Sequence, residues 1–135
     1  MIVAKVKGDI FTTKDKHIIF ALNKEGFNDC GFAGQVAKRG FTEIIDTGGN
    51  KLGEILSKTI DNITYHGIVC HSLENGGWNN SANIILTALN KMDFDDNASI
   101  VTIGGGFVGI MQGAPYEDIL SAFDTSNKKL TVWSY

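Results

Sequence analysis

A chain of 135 residues, 43% hydrophobic and 20% charged, has the length of one domain and can bury roughly two thirds of the surface its unfolded form exposes. That apolar content excludes intrinsic disorder. The net charge of −3 excludes extended nucleic acid as a partner, because backbone recognition needs clustered Lys and Arg, whereas Lys38-Arg39 and Lys128-Lys129 are isolated pairs near element ends. In chain order, IVAKV (2–6) alternates like a strand, and MIVAKVKGD lacks the long apolar centre of a signal peptide. HIIFAL (17–22) is a second strand, and GFAGQVAKRG (31–40) is a helix with Phe32 and Val36 on one face. TEII (42–45) reads as a third strand, followed by KLGEILSKTI (51–60), whose Leu52, Ile55, Leu56 and Ile60 fit one helical face. TYHGIVC (64–70) is a strand, SANIILTALNKM (81–92) a helix, and SIVTI (99–103) a strand. APYEDILSAF (114–123) is a helix with Pro115 in its first turn, and KLTVW (129–133) closes the series as a sixth strand.

Strands alternating with helices predict a single α/β domain over residues 1–135, with a mostly parallel six-stranded sheet and helices packed against it. No apolar run reaches the about eighteen residues of a membrane span, so no membrane partner and a cytoplasmic location are expected. Cys30 and Cys70 are 40 residues apart with no CxxC or histidine spacing, which reads as two reduced structural thiols rather than a metal site. No metal or other cofactor is expected.

Ligands of such folds sit at the carboxyl ends of the strands, and the glycine-rich stretches fall there: NKEGFNDCG after the second strand, DTGGNK after the third, SLENGGWNN after the fourth and GGGFVGIMQG after the fifth. Glycine removes the Cβ and lets a ligand touch the main chain, and successive exposed N–H groups before a helix cradle anions. Gly104, Gly105, Gly106 and Gly109 therefore read either as a diphosphate cradle or as a plain flexible connection. GxxxxGK[ST] is absent, and GDIF after the first strand is not GxGxxG, so neither common nucleotide motif applies.

VKGDIF (6–11), ALNKEGFNDCGFAGQVAKRGF (21–41), IGGGFVGI (103–110) and the closing KLTVWSY together resemble the macro domain across the whole chain. The nearest branch is that of the terminal ADP-ribose protein glycohydrolase, the DarG antitoxin and the small ADP-ribose 1''-phosphatases. That branch has KGD then Leu or Ile, N-x-x-G-x-M-G-x-G-I-A, P-x-I-G-x-G and a last strand of type xVTVYxx. The resemblance implies a three-layer α/β/α fold with a mixed, mostly parallel sheet, and a small ADP-ribose-type nucleotide as partner. It implies that Asp9 accepts a hydrogen bond from the adenine amino group, with Ile10 beside it. It places Asn23 at the distal ribose, Gly26 and Gly31 near ribose and phosphate, and Gly104, Gly105, Gly106, Phe107, Val108 and Gly109 in the loop around the diphosphate. Each has a plain alternative: Asp9 as a turn residue, Asn23 as a strand-end cap, Phe107 as core.

The departures bear on activity. Asp29 stands in place of the first glycine of the usual GxG and Asn28 in place of the methionine, which sets a carboxylate where phosphate would lie. The branch's catalytic lysine at the end of the fourth strand is replaced by His71, Ser72 and Leu73, and Val108 stands near the position of its aspartate. His71 reads as a base or acid, as a ligand contact or as a structural histidine. It cannot pair with Ser72, because adjacent strand residues point to opposite faces. Trp78 and Asn79, with Asn80, are candidates for contacting the distal end of the ligand, or Trp78 packs at a helix start. Without the nucleophile, the resemblance implies a non-catalytic protein that occupies its ligand, as a reader of modification or as a phage-type sponge of an ADP-ribose-based immune signal. The alternative is an ADP-ribose 1''-phosphatase or ADP-ribosyl hydrolase working through Asn23, His71 and a bound water.

Overall fold

In the computed structural model, which describes residues 1–26, 31–42, 50–74, 77–101 and 114–134, the chain runs in the following order. It forms β1 (Ile2–Lys7), a 3-10 turn (Ile10–Thr12), β2 (His17–Asn23), α1 (Gly31–Lys38), β3 (Ile55–Ile60), β4 (Ile63–His71), α2 (Ser81–Lys91), β5 (Ala98–Val101), α3 (Tyr116–Thr125) and β6 (Leu130–Ser134). The strands make one sheet in the order β1-β6-β5-β2-β4-β3, parallel throughout except for the antiparallel β3–β4 pair.

The apolar runs explain the centre of that order. Ile18 to Asn23 of β2 and Tyr65 to His71 of β4 are all buried, as befits neighbouring parallel strands covered on both faces. Phe20 of β2 meets Phe32 of α1 edge-on with ring centroids 5.7 Å apart, and Phe41 just beyond α1 at 5.1 Å. His17, three residues earlier and so on the opposite face, stacks instead on Phe94, which follows α2, at 3.8 Å. Helices therefore cover both faces, giving three layers. α2 buries Ile85, Ala88 and Leu89, and α3 buries Ile119, Ala122 and Phe123, the same i, i+3, i+4 spacing, and the two helices pack together. Pro115 occupies the N-cap of α3 rather than its first turn.

One predicted element is corrected. Residues 51–60, read as a helix, contain no helix; Ile55–Ile60 is the edge strand β3, and Lys51 to Glu54 form a turn before it. Asp61 and Asn62 take φ of 50° and 69°, the left-handed pair of a two-residue hairpin that folds β3 back onto β4. Ser57 and Thr59 alternate outward between less exposed neighbours, a period of two that the apolar positions also allow as a helical face. The strand expected at 42–45 falls at residues 43–45 outside the described part. Among the described residues no helix is long and apolar enough to cross a membrane. Cys70 is a free, fully buried thiol whose pKa burial pushes up to about 12, so it is inert packing in β4; Cys30 lies outside the described residues.

Candidate functional site

Parallel strands deliver their carboxyl ends to one edge, where Asn23 of β2 stands in register with His71 of β4. Both side chains are buried. Beyond them the chain turns: Lys24 donates its N–H to the His71 carbonyl at 2.9 Å, and Gly26 donates to the Asn23 carbonyl at 3.3 Å. Gly26 has φ +84°, a conformation that a side chain would strain. Between them, Glu25 reaches across the edge. Its carboxylate accepts from Ser72 Oγ at 2.5 Å and from the Leu73 N–H at 3.0 Å. Burial pushes the Glu25 carboxyl up, but the bonds from Ser72 and Leu73 outweigh it and hold the group below its ordinary value. Nothing local in the sequence marks Glu25, because its partners lie 47 and 48 residues away.

His71 lies flat against Trp78, with centroids 4.1 Å apart and planes 5° from parallel. Burial lowers its pKa to about 4, against a smaller raising effect of the Glu25 charge. The ring is neutral at pH 7, the form that accepts a proton rather than the imidazolium that gives one to a leaving group. Ser72 is committed as well: its hydroxyl donates to Glu25 and accepts from the Glu74 N–H at 3.1 Å. Trp78 is buried, and Asn79 and Asn80 are exposed.

The loop carrying these residues is closed by Gly77, whose carbonyl accepts from the Ser72 N–H at 2.9 Å. A Cβ on Gly77 would stand 1.8 Å from the Ser72 carbonyl oxygen, which is backbone and cannot rotate away. Gly77→Ala is expected to cost about 1–3 kcal/mol by overpacking. Urea unfolding measures it, and an unchanged midpoint would show that the loop yields freely.

Asp9 and Ile10 have a separate support. Asp9 caps the 3-10 turn, its Oδ1 accepting from the Phe11 N–H at 3.0 Å while the residue stays exposed. Ile10 is buried. Phe11 stacks on Phe32 of α1 at 5.3 Å and carries the Arg39 guanidinium 3.7 Å from its ring centre, which docks the turn on α1.

The structure thus joins Asn23, Gly26, His71 and Ser72 in one bonded cluster with Trp78 stacked on it, and sets Asp9 and Ile10 on the turn docked on α1. Gly31 is the first residue of α1. Gly104, Gly105, Gly106, Phe107, Val108 and Gly109, like Asn28 and Asp29, lie outside the described residues. Among the described residues no three His, Cys, Asp or Glu side chains come together to hold a metal ion.

No protein-family model and no curated protein matches the sequence. Solved structures do. The chain matches the macrodomain of Mycobacterium tuberculosis DarG over 100% of its own length and 98% of that chain, with a TM-score of 0.70 at 12% identity. It matches the macrodomain of Thermus aquaticus DarG over 100% and 99% respectively, with a TM-score of 0.66 at 14% identity. It also matches alphavirus P23pro-zbd over 97% of its length but only 21% of that longer chain, with a TM-score of 0.65 at 12% identity. With its six-stranded mixed sheet between helices and its full-length correspondence to these proteins, the chain has the macrodomain fold.

Proposed function

We propose that the chain binds ADP-ribose or an ADP-ribose-derived nucleotide at the carboxyl edge of its sheet, as a reader or sequestering protein that leaves the ligand intact. The macrodomain fold and the motifs that resemble the macro domain support the ligand class. In this reading Asp9 and Ile10 receive the adenine, Asn23, Gly26 and Gly31 face ribose and phosphate, and the backbone of Gly104, Gly105, Gly106, Phe107, Val108 and Gly109 wraps the diphosphate. His71 and Ser72, with Trp78 and Asn79, lie toward the distal end.

The observation that carries binding over hydrolysis is the state of the two polar side chains where a nucleophile is missing. His71 is held neutral against Trp78, and the Ser72 hydroxyl is occupied on both sides by Glu25 and Glu74. Packed face to face with Trp78, the neutral ring is no acid toward a leaving group, and Ser72 Oγ already makes its bonds within the cluster. A protein of this kind acts by capture, and sequestering a nucleotide immune signal is the finer form of the proposal.

Calorimetric titration with ADP-ribose, followed by chromatography of the recovered ligand, tests it. Saturable binding with the nucleotide returned unchanged is expected, whereas release of phosphate from the 1''-phosphate would replace the reading with a hydrolase. Asp9→Ala is expected to weaken binding by about 1–3 kcal/mol through loss of the adenine bond. Unchanged affinity would remove Asp9 from the site.

A further inference from the structure

The sheet has two edges, and they are finished differently. β1 closes one side with a register shift between Ile2 and Ala4 and with Lys5 and Lys7 exposed, two devices that discourage a further strand. β3 closes the other side with neither. It pairs with β4 from Ile55 to Ile60 without a shift, and its polar side chains are engaged within its own fold. Ser57 Oγ meets His66 Nδ1 at 2.8 Å, and Thr59 Oγ1 meets Thr64 Oγ1 at 2.8 Å. Lys58, the only charge in the strand, donates from Nζ to the Gly40 carbonyl at 3.0 Å. The lysine that could guard this edge is thus turned inward.

Which backbone groups lie bare follows from the hairpin. Across its two-residue turn the closing pair, Ile60 and Ile63, exchanges both main-chain bonds, and the bonded pairs then alternate along the ladder, Lys58 with Tyr65 and Leu56 with Gly67. Thr64 agrees, since its N–H leaves β3 and donates to the Lys16 carbonyl ahead of β2 at 2.8 Å. The N–H and C=O groups of Ile55, Ser57 and Thr59 therefore point away from β4, and among the described residues no strand lies beyond them. Evenly spaced donors and acceptors with no free charge among them form a template for one more strand.

We infer that β3 is the contact between two copies of this chain, paired antiparallel about a twofold axis at Ser57. The strand is complementary to itself in that register. Ser57 meets Ser57 of the second copy and Ile55 meets its Thr59, so every outward N–H finds an outward C=O. Lys58 falls beside Leu56 of the second copy, and no like charges are opposed. Centring the axis one residue further on sets Lys58 against Lys58 and leaves Ile55 facing the turn at Asp61. The two six-stranded sheets become one continuous sheet. Because the paired strands run in opposite directions, so do the two carboxyl edges, and each copy keeps its own candidate site uncovered.

A contact through one strand is small and of the transient class, so the test runs from about 10 μM to about 1 mM protein. Sedimentation of the full chain is expected to show a reversible monomer–dimer equilibrium, with concentration-dependent NMR shifts at the Ile55, Ser57 and Thr59 amides. Ser57→Lys, which opposes like charges on the axis, should weaken dimerisation about fivefold or more. Ser57→Cys is the second variant, a near-isosteric change at an exposed position. The register sets the two Cα atoms about 5.5 Å apart, within disulfide reach, so mild oxidation should give a covalent dimer joined at position 57. The wild type controls for Cys30 and Cys70, and Ala4→Cys on β1 should stay monomeric under the same oxidant. A monomer throughout the range, a dimer of unchanged strength in Ser57→Lys, or no cross-link through position 57 overturns the inference. None of these readouts involves ADP-ribose, so this proposal and the nucleotide reading fail separately.

Discussion

Acidification from pH 7 to pH 4.5 is expected to remove about 5 kcal/mol of folding stability, a large part of the 5–15 kcal/mol typical of a domain. Two buried rings are responsible. Burial lowers the pKa of both His66 and His71 from 6.5 to about 4, with the nearby His17 adding to the effect at His66. Above pH 6.5 both are neutral whether the chain is folded or not. Between pH 6.5 and about 4 the unfolded chain binds protons that the folded chain refuses, so stability present above 6.5 is lost as pH falls, at about 1.4 kcal/mol per pH unit for each ring.

The bonds around His66 show why it resists charging. Its Nδ1 meets Ser57 Oγ at 2.8 Å and its Nε2 meets His17 Nδ1 at 2.9 Å, so the two imidazoles share one proton at their junction. A first added proton can be carried with these bonds intact, ending on His17 Nε2 toward Asp96 at 3.9 Å. A second sets two N–H groups against each other and breaks the line. Urea midpoints at intervals from pH 7.5 to 4.5 measure the slope, and His66→Asn should roughly halve it. A flat profile would mean that neither ring is buried as described.

Phe20→Ala is expected to cost about 3–5 kcal/mol, the range for emptying a phenylalanine site in a packed core. Phe20 is 1% exposed and joins β2 to the α1 layer through Phe32 and Phe41. Its place is prepared by Gly67 on the neighbouring strand, where an added Cβ would stand 2.3 Å from Leu22 Cδ1 and 3.2 Å from Phe20 Cζ. The missing methyl on β4 is the space the ring and Leu22 fill, so the cavity left by alanine has few side chains free to collapse into it. Thermal melts should show a fall of about 10 °C or more. A loss below about 1.5 kcal/mol, the cost of a volume-conserving swap, would show that α1 settles into the gap.

Much of this architecture is legible in the chain because the central strands are long, apolar and β-branched, and because the two helices on the far face repeat their buried residues at i, i+3 and i+4. The edge is where local pattern misleads. Leu52, Ile55, Leu56 and Ile60 satisfy a helical stripe as well as they satisfy a strand, and the deciding signal is the Asp61-Asn62 pair that both flanking runs share. At the candidate site, the glycines announce where backbone is bared, and the strand order brings Asn23 beside His71. The Glu25 bridge to Ser72 and the stacking of Trp78 on His71 had no such signal. Each depends on where two loops distant in sequence come to rest, which is a property of the sheet rather than of either segment.

The position of β6 has a consequence in time. It lies between β1 and β5 and, among the described residues, is the only ladder partner of β1. On a ribosome, β1 leaves the exit tunnel long before Leu130–Ser134 and finds this neighbour only after that strand has followed, so closing this side of the sheet joins segments far apart in sequence. Such long-range pairing folds slowly, and until it forms the exposed Val3 and the unpaired amides of β1 are open to any other strand in reach. The strand that pairs with β1 therefore sets how long this side of the sheet is vulnerable to aggregation.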